Sequence, residues 1–457
     1  MSKRASRLRA LLIAVLGAGV AGAAGYAIVN PPAITAAYLD FNAFYCGARI
    51  LTAGSDPYRY EPLHSCETRN LQPATPNAVV PVPLPPYAVA AFAPLAQLSF
   101  SQARFAWWLL LLISGLLVVW AVAELSGLPL LLVGTCVLVS VLLPSLIVGS
   151  LALVPIALLS LSAVALVRGH ATLAAALQAG ACIEPHVAFP VLIAVFAFVP
   201  AMRWRLACVA AALLAASFAA GGASLNLEYV AQVLPAHAVS EIGNAEQYGI
   251  SAVLHAFGLA ERPATLVADA QYLLFIIGGL WLVRALRREM PESIVLVPMA
   301  LAVTGGPFVH VTQIAAAIPL ALVAAARTGA RFAWAGLVLV AMAIPWQASI
   351  GYGAITAALV LFAVLAYNRV VWFIALPAAI AAGAMLWMLE EPELLPRHVA
   401  AIAPIAGSAL AELPWRALAD QFPPTPFSWY GHALVYAGLA CTYGSLLLLA
   451  RATHRAA

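Results

Sequence analysis

Asp40, Glu184, His186 and His310 stand where a chain this apolar is not expected to carry polar groups. Asp40 lies in Tyr38-Leu39-Asp40-Phe41-Asn42-Ala43-Phe44-Tyr45, among aromatic residues and one helical turn from Phe44. Glu184 and His186 interrupt an apolar run at Cys182-Ile183-Glu184-Pro185-His186, and His310 follows the helix-breaking Gly305-Gly306-Pro307. An anion beside aromatic rings and lipid is costly unless it is used or paired. Desolvation raises the proton affinity of a carboxylate, which suits a general base that takes a proton from a hydroxyl. Asp40 is therefore the candidate base. The plainer readings are an ordinary exposed loop aspartate, or one paired with Arg49.

The other polar positions carry the same two-sided reading. Glu184 is either functional or a neutral or arginine-paired structural glutamate. His186 and His310 are site candidates that could equally be satisfied structural histidines. Asp269 is a second candidate anion, with a structural role as the plainer reading. Glu246 and Gln247 are loop residues that could meet a sugar or simply face solvent, and Glu390, Glu391 and Glu393 read as a solvated charge run. A metal needs several converging oxygen ligands. Asp40, Asp56 and Glu184 could supply them only by converging in space, so the expectation is chemistry without a metal or other cofactor.

The elements that must position these residues follow from composition. Of 457 residues 64% are hydrophobic and 9% charged, against about 25% charged in a soluble domain. So few charges cannot cover a water-facing surface, whereas lipid-facing surfaces need none. The expected fold class is an all-α integral membrane protein forming one domain over 1–457. Apolar run lengths, at about 20 residues per crossing, place spans near 10–30, 103–123, 129–147, 151–168, 171–184, 187–201, 205–223, 264–284, 293–309, 311–327, 332–350, 353–368, 370–389 and 429–450. That gives 12–14 transmembrane helices, those flanking Glu184 being short enough to be tilted or broken. The basic stretch Met1–Arg9 and its apolar sequel read as an uncleaved first span, with signal-peptide cleavage near Ala21–Ala24 as the alternative.

Placing the N-terminus in the cytoplasm puts Lys3 and most arginines on that side, about twice the number on the other. The long polar segments 31–102, 224–263 and 390–428 then all fall outside, where a cytoplasmic membrane protein of a bacterium would do its chemistry in the periplasm or exterior. The net charge of +4 is a topology signal and gives no indication of a nucleic-acid partner. The stretch 38–54 reads as a helix capped near Gly54, and Asp56-Pro57-Tyr58 reads as a turn. Cys46 and Cys66 share the first outer loop while the other cysteines fall within spans, so a Cys46–Cys66 disulfide is expected. The prolines from Pro73 to Pro86 form an extended connector, after which Pro86-Tyr87 opens an interfacial helix to about Leu98.

These motifs in order resemble the polyprenol-phosphate-mannose-dependent mannosyltransferases, glycosyltransferase family 87, which have the GT-C fold. The resemblance rests on Asp40-Phe41 with Phe44-Tyr45, Gly54-Ser55-Asp56-Pro57-Tyr58, Pro85-Pro86-Tyr87, Ala93-Pro94-Leu95 and Glu184-Pro185-His186. Gln247-Tyr248-Gly249-Ile250-Ser251 and His310 extend it. It implies a GT-C helical bundle that transfers a hexose, by family mannose, with inversion from a polyprenyl phosphate to an extracytoplasmic lipid or glycan acceptor. Asp40 would be the base, and Tyr45, Arg49, Arg104, Glu184, His186, Gln247 and His310 would line the substrate site. Two departures stand out. Glu184 replaces a frequent family lysine, and Gly149-Ser150-Leu151 stands in place of a glycine-glutamine motif. A glutamate repels phosphate, which leaves Arg49, Arg104, His186 and His310 to hold the donor phosphate. The competing readings are a transporter or flippase, against which the thin cytoplasmic face and the lack of an internal repeat argue, and a noncatalytic envelope-assembly protein.

Overall fold

The computed structural model describes residues 39–71, 75–245, 247–343, 400–424 and 426–456, together with Val360, Val364 and Tyr367. The expected spans at 10–30, 353–368 and 370–389 lie wholly or mostly outside these residues, as do Glu246 and the Glu390–Glu393 charges. Among the described residues the chain is helical, and its extended pairing is limited to the isolated bridges Arg59–Leu410 and Gln247–His310.

The helices are α1 Leu39–Thr52, α2 Tyr60–Asn70, α3 Pro86–Ala90, α4 Ala93–Ala96, α5 Phe100–Ser126, α6 130–148, α7 Leu153–Val167, α8 Ala171–Ala181, α9 Pro185–Phe198 and α10 Pro200–Ser240. Next come α11 Ile250–Ala256, α12 Glu261–Leu286, α13 Ser293–Thr304, α14 Val311–Ile314, α15 Ala317–Thr328, α16 Arg331–Ala343, α17 Glu412–Ala419 and α18 Pro426–Ala456. Among the described residues, four stretches are long and apolar enough to cross a membrane: Phe100–Ser126, Pro200–Ser240, Glu261–Leu286 and Gly431–Thr453. Shorter apolar helices pack among them, and the architecture is that of a helical membrane protein. Helices occupy most of each expected span among the described residues, but the span at 293–309 ends at Thr304 before Gly305-Gly306-Pro307, and that at 311–327 divides at Ala315-Ala316. The stretch 224–240, expected as loop, continues α10. Its polar residues Asn226, Glu228 and His237 are bonded or buried within the fold, so polarity there does not mark a loop.

Local chemistry explains where these helices deform. In α6 the turn Leu138–Leu142 widens to a π-turn just before Pro144, and in α10 Tyr229–Val233 does so just before Pro235. Proline has no N–H to donate and its ring crowds the preceding turn, which a widened turn relieves. Gly222 breaks α10 with φ +61°, a conformation in which a side chain would be strained. Asn226 staples the break, donating from Nδ2 to Ser217 O at 2.9 Å and Gly222 O at 2.6 Å. Where α16 meets α18, the backbones touch at two glycines. A methyl group on Gly438 would stand 2.6 Å from Val340 Cγ2 and 2.9 Å from Gly336 O. Small residues allow this approach, and apolar helices without water between them associate largely by such packing.

The connections separate into a thin end and a loop-rich end. At the thin end short turns carry Arg168 paired with Glu124 and Arg327 paired with Glu292. At the loop-rich end the first loop packs on the 400–424 segment: Tyr60 N donates to Ala409 O, Glu61 N to Gly407 O, and Asn77 Nδ2 to Ile402 O. Arg59 joins three parts of this end, pairing with Asp56 (2.8 Å), with Glu228 of α10, and donating to Ser408 O.

Candidate functional site

The first loop is built around α1. Phe41 stacks on Trp107 and Phe100, Phe44 on Phe92, and Tyr45 meets Phe100 edge-on. Asp40, half-buried, occupies the first turn. The Cys46–Cys66 disulfide ties α1 to α2 as expected. Gly54 takes a positive φ after the helix, and the Asp56 carboxylate accepts from Tyr58 N, making the expected turn. The expected helix from Pro86 to Leu98 is instead the two short helices α3 and α4, separated at Ala91-Phe92.

The substrate-site candidates divide into two groups. Tyr45 is buried, and its hydroxyl donates to Leu98 O at 2.8 Å and accepts from Arg49 Nη1 at 3.1 Å. It therefore positions Arg49, which is exposed. Arg104, also exposed, lies one turn beyond Phe100 on α5. Glu184, His186, Gln247 and His310 gather elsewhere at the loop-rich end. Pro185 at the first position of α9 presets the helix start, which places Glu184 and His186 at its mouth. The Glu184 carboxylate accepts from Gln313 Nε2 at 2.8 Å and stands 3.3 Å from His186 Nε2. Gln247 is fully buried and acts as a clip: its Oε1 accepts from Val309 N and Gly249 N, and its carbonyl bonds His432 Nε2. That clip fixes the strand-like pairing with His310. Asp269, the other candidate anion, sits in α12 three residues before Tyr272, whose hydroxyl donates to His186 O at 2.7 Å.

The gathering also contains residues the sequence did not single out. His310 Nε2 lies 2.5 Å from Glu241 Oε2, and Trp415 Nε1 donates to Glu241 Oε1. Burial favours the neutral form of Glu241, but the His310 charge and these donors outweigh it and hold the carboxyl below the usual range. His237 is buried one helical turn before Glu241, with Phe308 packed between its ring and that of His310 at centroid distances of 4.2 and 4.6 Å. The signal available in sequence was the i, i+4 spacing of His237 and Glu241 at the end of an apolar helix. The partners Gln313 and Trp415 lie too far along the chain to be found that way.

An apolar cavity of about 340 Å³ is lined by Ala91, Phe92, Leu95, Ala106, Trp107, Leu110, Val154 and Ile183. Phe92 and Trp107 are the rings on which α1 rests, and Ile183 precedes Glu184. Tyr87 Oη bonds Cys182 O at 2.6 Å and holds the two walls together. No protein-family model matches the chain, and a search of curated proteins finds no match.

Proposed function

We propose that the protein is a membrane glycosyltransferase of GT-C type, which moves a hexose, in keeping with the sequence resemblance mannose, from a polyprenyl phosphate to an extracytoplasmic lipid or glycan acceptor. The observation that carries this reading is the apolar cavity walled by Phe92 and Trp107, rings of the aromatic shelf on which α1 rests, and by Ile183, next in the chain to Glu184. A polyprenyl-phosphate sugar has an apolar chain joined to a polar head, and an apolar cavity whose wall leads along the chain to a polar gathering suits that order. Asp40 acts as the base: it takes the proton of an acceptor hydroxyl, the hydroxyl oxygen attacks the anomeric carbon, and the bond to the phosphate oxygen breaks, leaving polyprenyl phosphate. Attack opposite the leaving phosphate inverts the linkage. Arg49 and Arg104 supply positive charge near α1, and the loop-rich end faces the outside of the cytoplasmic membrane, a compartment that lacks nucleotide sugars and where a lipid-carried donor serves.

The test is turnover by purified protein given polyprenyl-phosphate mannose and a lipid acceptor extract. Asp40→Asn keeps the shape and removes the base, so turnover is expected to fall by about 10²–10⁴-fold. Wild-type turnover by the variant defeats the base assignment, and transport of the lipid without a new glycosidic bond defeats the transferase reading.

A further inference from the structure

We infer that the cleft formed by Glu184, His186, His237, Glu241 and His310 around Phe308 is a sugar subsite that takes an uncharged polyhydroxyl ring and leaves the phosphate of any lipid-linked donor outside it. Its place in catalysis rests on the transferase reading, but its ligand chemistry is argued from the residues themselves.

Access comes first. The side chains of His186 and His310 are 37% and 22% exposed, while those of Glu184 and Glu241 are 6% and 2% exposed. The histidines thus stand nearer the surface than the carboxylates they face. Unused hydrogen-bonding capacity comes second. Among the described residues, both ring nitrogens of buried His237 and Oε2 of Glu184 have no hydrogen-bond partner. His237 lies within electrostatic range of Glu241, His310 and His186, and its ring and that of His310 both contact Phe308. Buried polar atoms without partners are costly. A sugar hydroxyl both donates and accepts, so one ring can serve an imidazole and a carboxylate oxygen together.

Shape and charge complete the case. Phe308 is partly exposed between two imidazoles, so an apolar surface adjoins the polar groups, as the mixed C–H and hydroxyl surface of a pyranose requires. The named charges of the cleft are two carboxylates, each already facing one histidine. A phosphate entering would meet both carboxylates, and like charges at short range in a desolvated site repel strongly. The same histidines and carboxylates do not form a cation cage, because among the described residues no group of three or more metal-ligating side chains is arranged to hold a metal ion. Glu184 in place of a basic residue thus fits a subsite for hydroxyls.

The experiment uses the full chain in lipid nanodiscs and two readouts. Saturation-transfer NMR with methyl α-D-mannopyranoside should show binding that millimolar inorganic phosphate does not displace, and Glu184→Gln should bind about tenfold more weakly through loss of a charged acceptor. A diazirine-bearing mannoside should label peptides containing Phe308 or His237 in the wild-type protein, which keeps the test independent of whether a variant folds. Displacement by phosphate, labelling confined to other segments, or absence of mannoside binding overturns the inference. Asp40→Asn is expected to bind the mannoside like wild type. Inactive protein that still labels at Phe308 would therefore refute the transferase reading alone, and active protein labelled elsewhere would refute the subsite alone.

Discussion

The two ion pairs at the thin end have the same chemistry and different burial, which makes Arg327→Ala and Arg168→Ala an informative comparison. Arg168 and Glu124 are both 47% exposed, and such pairs contribute about 0–1 kcal/mol. Glu292 is 1% exposed, bonded to Arg327 Nε at 3.0 Å, and Arg327 also donates to Leu125 O at 3.2 Å. Removing Arg327 strands a buried carboxylate, which costs about 3–5 kcal/mol. The lost bond to Leu125 O adds about 1 kcal/mol, so the expected loss is about 4–5 kcal/mol. Arg168→Ala should lose no more than about 1 kcal/mol. Equilibrium unfolding in mixed detergent micelles measures both. Equal losses for the two variants would refute the argument from burial.

Other expectations concern the loop-rich end and the helix contacts. Burial pushes Glu412 up to about 8. Its folded form keeps a proton that the unfolded chain gives up above the ordinary carboxylate range, so stability should decline as pH rises from about 5 to 8 and level off beyond. Glu412→Gln should flatten part of that decline in melting curves, and an unchanged slope would count against the assignment. Burial of Glu67 acts in the same direction, so the decline should not vanish entirely. Gly438→Ala meets backbone on α16 and should cost a few kcal/mol, whereas Gly444→Ala, with nothing within 4 Å, should be neutral within about 0.5 kcal/mol. Cys46→Ala with Cys66→Ala opens a loop of 20 residues and should destabilise by about 3 kcal/mol, seen as faster proteolysis between α1 and α2.

The helices were legible because lipid imposes a length on every crossing, and apolar runs of that length appear directly in the sequence. The first loop was legible for a similar reason. Gly54, the Asp56 turn and the paired cysteines act over short distances, and each was found where its chemistry required. The buried cleft was less accessible to that reasoning. Glu184 finds Gln313 129 residues away and Glu241 finds Trp415 174 residues away. No periodicity records such meetings. Gln247 shows the converse: its position attracted attention, but its side-chain oxygen is committed to backbone donors. Tyr45 is likewise occupied in holding α1 to Leu98.

The break at Gly222 has a further consequence for α10. A straight helix of 41 residues would measure about 60 Å, twice the roughly 30 Å of a hydrocarbon core. Bent at its midpoint, the first half spans one thickness and the second cannot repeat the crossing. That second half carries exposed Leu227, Val230 and Leu234 on one stripe, while Glu228 on another side pairs with Arg59. That half has the pattern of an amphipathic helix suited to the headgroup level, and His237 and Glu241 stand at its end. A helix so placed moves with the headgroups, so thicker or thinner bilayers are expected to change the angle at Gly222 before the height of these two residues above the lipid.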